Sequence, residues 1–223
     1  MRRTAARCLD SQGILALAGG LALVVGLVGC GGGGGGGGVV ARTADVRGRV
    51  VHDGTLTGLS GVTVEINGAN VATTDGVGDF TAYDVPAGDV HFRVSKPGYD
   101  TVSEDRDLSP NAMNDLRSAP FFLPPTLLAG HGCVSGRIVD ASSSAASGAG
   151  VVVTTSSSAN GVTRNDGTFC VYNIPAGIGN LTATGTASQP GNAYLFGIAI
   201  PSGSELGVGT LTLSNAPPPP PFP

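Results

Sequence analysis

The residues of this chain that could do chemistry are four cysteines, three histidines and a scatter of aspartates, and their spacing argues against most of it. A hydrolytic zinc site of the H-E-x-x-H kind needs two histidines close together on one face with a carboxylate beside them. His52, His91 and His131 are scattered along the chain with no such neighbour. A serine nucleophile of the strand-turn-helix type needs G-x-S-x-G; the serines here cluster instead in "DASSSAASGAG", which reads as loop. Asp75 and Asp79 flank Gly76-Val77-Gly78 and read first as turn chemistry. Calcium there stays an open alternative, although the regularly spaced oxygen donors and closing glutamate of a dedicated site are missing. No catalytic residue, metal ligand set or cofactor is expected.

Cys30 is different, because it stands directly ahead of eight glycines, Gly31 to Gly38. Glycines have no side chains with which to bury a thiol. Upstream, Arg2, Arg3 and Arg7 precede an apolar run from Ile14 to Val28, the outline of a secretory signal. That run is shorter than the roughly 20 residues a membrane-spanning helix needs. Leu27-Val28-Gly29-Cys30 resembles the bacterial lipoprotein signal, which implies cleavage after residue 29 and a diacylglycerol thioether on Cys30, usually with a further acyl chain on its amine. Two or three chains hold a protein on a membrane stably. The glycine run becomes a tether reaching at most ~28 Å. In the family's sorting rule an aspartate after the cysteine retains the protein at the inner membrane; Gly31 stands there, so the expected address is a lipid anchor in the cell envelope, at the outer membrane where there is one.

Without the first 29 residues, nine basic residues face fifteen acidic ones, a formal charge near −6. Lys96 is the only lysine, so a nucleic-acid partner is not expected. The chain repeats itself. "VRGRVV" at 46–51 returns as "VSGRIV" at 134–139, "SGVTV" at 60–64 as "AGVVV" at 149–153, and "GDFTAYDVPAG" at 78–88 as "GTFCVYNIPAG" at 167–177. Each copy reads as all-β: Val62, Val64 and Ile66 alternate with Thr63 and Glu65, and Val90, Phe92 and Val94 with His91 and Arg93. Glycine and proline cut every candidate helix. The expected fold is two tandem small sandwiches of about seven strands.

An opening V-x-G-x-V-V strand, then G-V-x-V, a D/N-G-x-F turn and V/I-P-A-G resembles the carboxypeptidase regulatory-like domain, a transthyretin-like β-sandwich. "KPGYDT" at 96–101 fits the first copy; the second has "TGTASQPGNAY" instead. The resemblance implies domains at 44–125 and 132–214, after a signal at 1–29 and a lipidated tether at 30–43. A linker at 126–131 and a proline-rich tail at 215–223 complete the chain. In metallocarboxypeptidases the module is an accessory to a catalytic domain, elsewhere a spacer or presentation module, and related sandwiches bind glycans; fold alone does not choose.

Two readings therefore compete: a non-catalytic envelope lipoprotein acting as a structural or protein-interaction module, and one that binds carbohydrate or peptidoglycan. An accessory subunit of a separate peptidase is a third. Sugar stacking would fall to Tyr83, Tyr172, Tyr99 or Tyr194, since the chain has no tryptophan. Cys133 and Cys170, the two cysteines left in an exported chain, are expected to form a disulfide within the second copy. Gly130 and Gly132 suggest a short hinge between the copies.

Overall fold

The computed structural model describes residues 42–140 and 150–215, and every helix or strand within them is a strand. The expected signal, Cys30 and its glycine run, residues 141–149 and the proline-rich end at 216–223 lie outside the described residues.

The first sandwich contains β1 (Thr43–His52), β2 (Thr63–Ile66), β3 (Ala69–Thr73), β4 (Asp79–Pro86), β5 (Gly88–Ser95), β6 (Val102–Leu108), β7 (Met113–Asp115) and β8 (Phe121–Leu123). One sheet has β1 at its centre, antiparallel to β4 and parallel first to β7 and then to β8. The other runs β3-β2-β5-β6. The second sandwich contains β9 (His131–Val139), β10 (Val152–Thr155), β11 (Asn160–Val162), β12 (Thr168–Pro175), β13 (Gly177–Thr186), β14 (Gln189–Ile200) and β15 (Glu205–Thr212). Its sheets run β12-β9-β15 and β11-β10-β13-β14, the same order again. Where β15 follows β9 with a register shift between Gly207 and Thr210, the first sandwich breaks the equivalent strand into β7 and β8. All-β tandem sandwiches are therefore present, with the last strand of the first one interrupted.

The alternation read in the sequence is the alternation of burial. Val64 and Ile66 on β2 and Val90, Phe92 and Val94 on β5 are buried, while Asp89, His91 and Arg93 face outward. Phe92 and Phe80 meet Phe121 at ring-centroid distances of 5.3 and 6.2 Å in the first core. The second core packs Phe169, Ile138, Leu181 and Leu213.

The repeated motifs have packing causes. Gly48 lies opposite Phe80 in register, and Gly136 opposite Phe169. A Cβ on Gly48 would come within 2.5 Å of the Phe80 ring, and one on Gly136 within 2.9 Å of Phe169. Glycine in V-x-G-R thus makes room for the phenylalanine of G-x-F, Gly78-Asp79-Phe80 in the first copy and Gly167-Thr168-Phe169 in the second. Asp84 and Asn173 before the V/I-P-A-G block both adopt positive φ (53° and 55°), which aspartate and asparagine tolerate better than most side chains. Thr74 and Thr163 are buried at matching places. Thr74 Oγ1 accepts from Val62 N (2.9 Å) and donates to Leu59 O (2.5 Å), and Thr163 Oγ1 accepts from Val151 N (3.1 Å), so each satisfies backbone groups at the rim of its core.

Candidate functional site

The densest polar chemistry among the described residues lies where the sandwiches meet. The turn after β1 carries Asp53 into the second sandwich, where it is only 3% exposed. Its carboxylate accepts from the Tyr172 hydroxyl (2.6 Å) and pairs with the Arg164 guanidinium. Arg164 also covers the Phe122 ring at 4.4 Å, a cation–π contact. The next residue, Gly54, gives its carbonyl to Val162 N at 2.6 Å and approaches so closely that a Cβ there would lie 3.0 Å from the Cys170 carbonyl. His52 stands edge-on to Tyr99 (5.8 Å) and Tyr172 (6.5 Å).

Burial sets the electrostatics here. Desolvation pushes the Tyr172 hydroxyl well above its usual range, and the Asp53 charge adds to this, so the phenol stays a donor. Desolvation also lowers His52, against the pull of Asp53, and favours the neutral ring. The Cys133 thiol is pushed up to about 12, first by burial and then by Glu205 and Asp53. A thiol so protonated is a poor nucleophile.

Several expectations change on this geometry. Cys133 is a free, fully buried thiol, so the expected Cys133–Cys170 bridge is not made. Register supplies the reason. Cys170 lies opposite Ser135, which places Cys133 two residues along β9 from it. Diagonal neighbours across a strand pair sit roughly 7–8 Å apart, somewhat less between Cβ atoms, whereas a disulfide needs Cβ atoms about 3.5–4.5 Å apart. Cys133, Cys170 and Tyr172 share a small cluster, packed by Leu127. Tyr172, 7% exposed with its hydroxyl held by Asp53, offers no face to a sugar, and the glycan role expected of it is withdrawn.

The other tyrosines lie apart. Tyr83, the counterpart of Tyr172, is 68% exposed on the first sandwich. Tyr99 packs against the first core, with Lys96 Nζ 5.8 Å from its ring centroid. Tyr194 lies on β14 stacked with Phe196. Asp75 Oδ1 accepts from Val77 N (3.0 Å) and Asp79 N (2.8 Å), while Asp79 holds Arg49 through both oxygens (2.5 and 2.9 Å). This is the turn chemistry read first, with an ion pair added. His91 meets Asp105 (2.7 Å) on an outer face, and His131 Nδ1 lies 3.0 Å from the Ala129 carbonyl; the three histidines are not brought together.

The linker is braced rather than loose. Thr126 N donates to Gly98 O (3.0 Å) on the first sandwich and Leu128 N to Asn173 Oδ1 (2.9 Å) on the second. Gly132 belongs to β9, and a Cβ there would come within 2.1 Å of the Pro201 carbonyl, so its role is close approach, not hinging. Asp53 and Arg164 escaped the sequence reading. The available signal was Arg164 itself, which stands where the first copy has Asp75, together with Cys133 and Cys170 standing where it has Asp45 and Thr81.

Comparison with known proteins adds a family for part of the chain. No curated protein matches it. Among solved structures, the Bacillus anthracis TIE protein aligns at 13% identity over 77% of this chain and 34% of its own, with TM-score 0.34. A cohesin–X-dockerin complex from Acetivibrio cellulolyticus aligns at 25% identity over 39% of this chain and 60% of its own, with TM-score 0.33. A streptococcal ancillary pilin aligns at 15% identity over 80% of this chain and 64% of its own, with TM-score 0.31. These superpositions are loose, and the chain spans between a third and two thirds of the length of these proteins. The sequence profile of the carboxypeptidase regulatory-like domain matches residues 45–118, the body of the first sandwich. One carboxypeptidase regulatory-like domain is thus found in this chain.

Proposed function

We propose that this protein is a non-catalytic structural or interaction module of the bacterial envelope, held to the membrane by lipid on Cys30 and presented on the glycine tether. The second sandwich, on this reading, is a diverged copy of the first, spanning 132–214 against 44–125. The common strand order and the matched Gly48/Phe80 and Gly136/Phe169 pairs support it.

The observation that carries the proposal is the junction. Asp53 of one sandwich is buried beneath the other and held by Arg164 and Tyr172, while the linker is bonded to both. Sandwiches joined so tightly act as one stiff body, the property a spacer or presenting module needs. Metabolic labelling with a palmitate analogue tests the anchor: the wild-type chain takes up label and Cys30→Ala does not. Label retained in Cys30→Ala would sink the lipid assignment. Small-angle scattering of the mature chain carrying Cys30→Ser tests the stiffness. A single compact two-lobed particle is expected, and scattering that demands a broad ensemble of lobe separations would overturn the spacer reading.

A further inference from the structure

The second sandwich has one sheet without charge. From Ala141 to Thr163 and from Ala176 to Ser204 the sequence contains no Asp, Glu, Lys, Arg or His, and β10, β11, β13 and β14 all come from these stretches. The charged residues of that sandwich lie on the other sheet or its flanking turns. The corresponding sheet of the first sandwich carries Glu65, Asp89, Arg93, Asp105 and Asp107 on its strands. Sheet faces left to water normally carry mixed charge, so the neutral face calls for a cause beyond solubility.

Its outward residues follow from what is buried. Leu181 and Ala183 on β13 and Ala193 on β14 enter the core, which turns Asn180, Thr182, Tyr194 and Phe196 outward. Thr154 pairs with Thr182, and Thr182 with Tyr194, giving one cross-strand row about 10 Å long at the usual strand spacing. Beside it, Asn180 Oδ1 accepts from Gly197 N (3.0 Å), which fixes the amide and leaves its NH2 group as a donor. The Tyr194 and Phe196 rings lie within 6° of parallel, centroids 6.0 Å apart. Phe196 is 36% exposed and Ile178, at the end of the same face, 76%.

We propose that this face binds a neutral polysaccharide. Sugar rings stack their C–H faces on Tyr194 and Phe196, and their hydroxyls hydrogen-bond to Thr154, Thr182 and Asn180. The charge pattern selects the ligand class: a polyanion or a charged peptide would find no counter-charge across the sheet, whereas an uncharged polyol loses nothing by their absence. The surroundings of Tyr83 are the contrast. That exposed ring sits next to Asp84 and on a sheet whose β1 carries Asp45, Arg47 and Arg49. The proposal does not depend on lipidation of Cys30.

The test mixes the mature chain carrying Cys30→Ser with insoluble cellulose, chitin, mannan and β-1,3-glucan, with alginate beads as the charged comparator, and measures co-sedimentation. Saturable binding to at least one neutral polymer is expected, little changed between about 0.1 and about 1 M salt. Tyr194→Ala and Phe196→Ala should each weaken it by about tenfold or more, and Tyr83→Ala should leave it intact. Thr182→Glu, an outward substitution that spares the core, should abolish binding with the melting temperature kept. A folded chain that binds none of the four polymers, or that prefers alginate, overturns the proposal. So does sedimentation equilibrium showing a dimer that Thr182→Glu dissolves, since the face would then serve self-association.

Discussion

Asp53 shows how a single side chain can join two domains and leave little trace in the sequence. Its partners lie 111 and 119 residues away, and nothing local to His52-Asp53-Gly54 distinguishes it from a solvated turn aspartate. A buried carboxylate paired with a guanidinium contributes little over an apolar pair, but losing one partner strands the other charge, at a cost of about 3–5 kcal/mol. Asp53→Ala should therefore lower stability by about that much in denaturant unfolding. Tyr172→Phe, which removes one hydrogen bond and leaves the ion pair, should cost only about 1–2 kcal/mol. His52 adds a pH dependence of definite sign. Its folded pKa is lowered by burial, so below its ordinary value of 6.5 the unfolded chain binds the proton more readily and stability falls. Thermal melts on lowering the pH from about 7 to about 5 should show a decline that His52→Phe reduces. The same residue type can also mislead: Tyr83 and Tyr172 occupy one motif, yet one is exposed and the other buried, because burial comes from a neighbouring sandwich that a local motif does not see.

The elements were the most legible part of the chain. Period-two alternation placed β2 and β5, and the Gly- and Asp-rich turns that end in G-x-F placed the starts of β4 and β12, because these patterns report local backbone geometry and the face it buries. The break between β7 and β8 was not legible. It depends on whether the chain can stay beside β1 across Leu116 to Pro120, which is a matter of long-range pairing. The buried threonines Thr74 and Thr163 were legible in principle, since they recur at the repeat spacing, but a threonine beside a turn looks like turn chemistry until its burial is known. Packing at the repeated glycine gives a sharp expectation. In Gly48→Ala the added methyl meets the Phe80 ring, and equilibrium unfolding should register a loss of about 1–3 kcal/mol, as overpacked cores do. Combining it with Phe80→Leu should recover part of that loss, and an unchanged cost would mean that the ring is not what the glycine accommodates.

At the scale of the whole molecule, the sequence showed two copies of one unit but not how they are joined. Glycines at 130 and 132 read as a hinge because local sequence cannot distinguish a glycine chosen for flexibility from one that holds a positive φ, as Gly130 does (76°), or one that lets two backbones touch, as Gly132 does. The disulfide expected inside the second sandwich was likewise inferred from count and compartment, whereas pairing is decided by Cβ geometry across β9 and β12. What the structure puts in place of hinge and bridge is a continuous junction: Asp53, Arg164 and Tyr172 at its centre, His52 and the Cys133 cluster around it, and a linker bonded on both sides. Differential scanning calorimetry of residues 30–223 carrying Cys30→Ser, with and without Asp53→Ala, tests this most directly. The junction predicts one cooperative transition for the parent chain and a separation into two when Asp53 is removed. Two independent transitions in the parent, unmoved by Asp53→Ala, would contradict it.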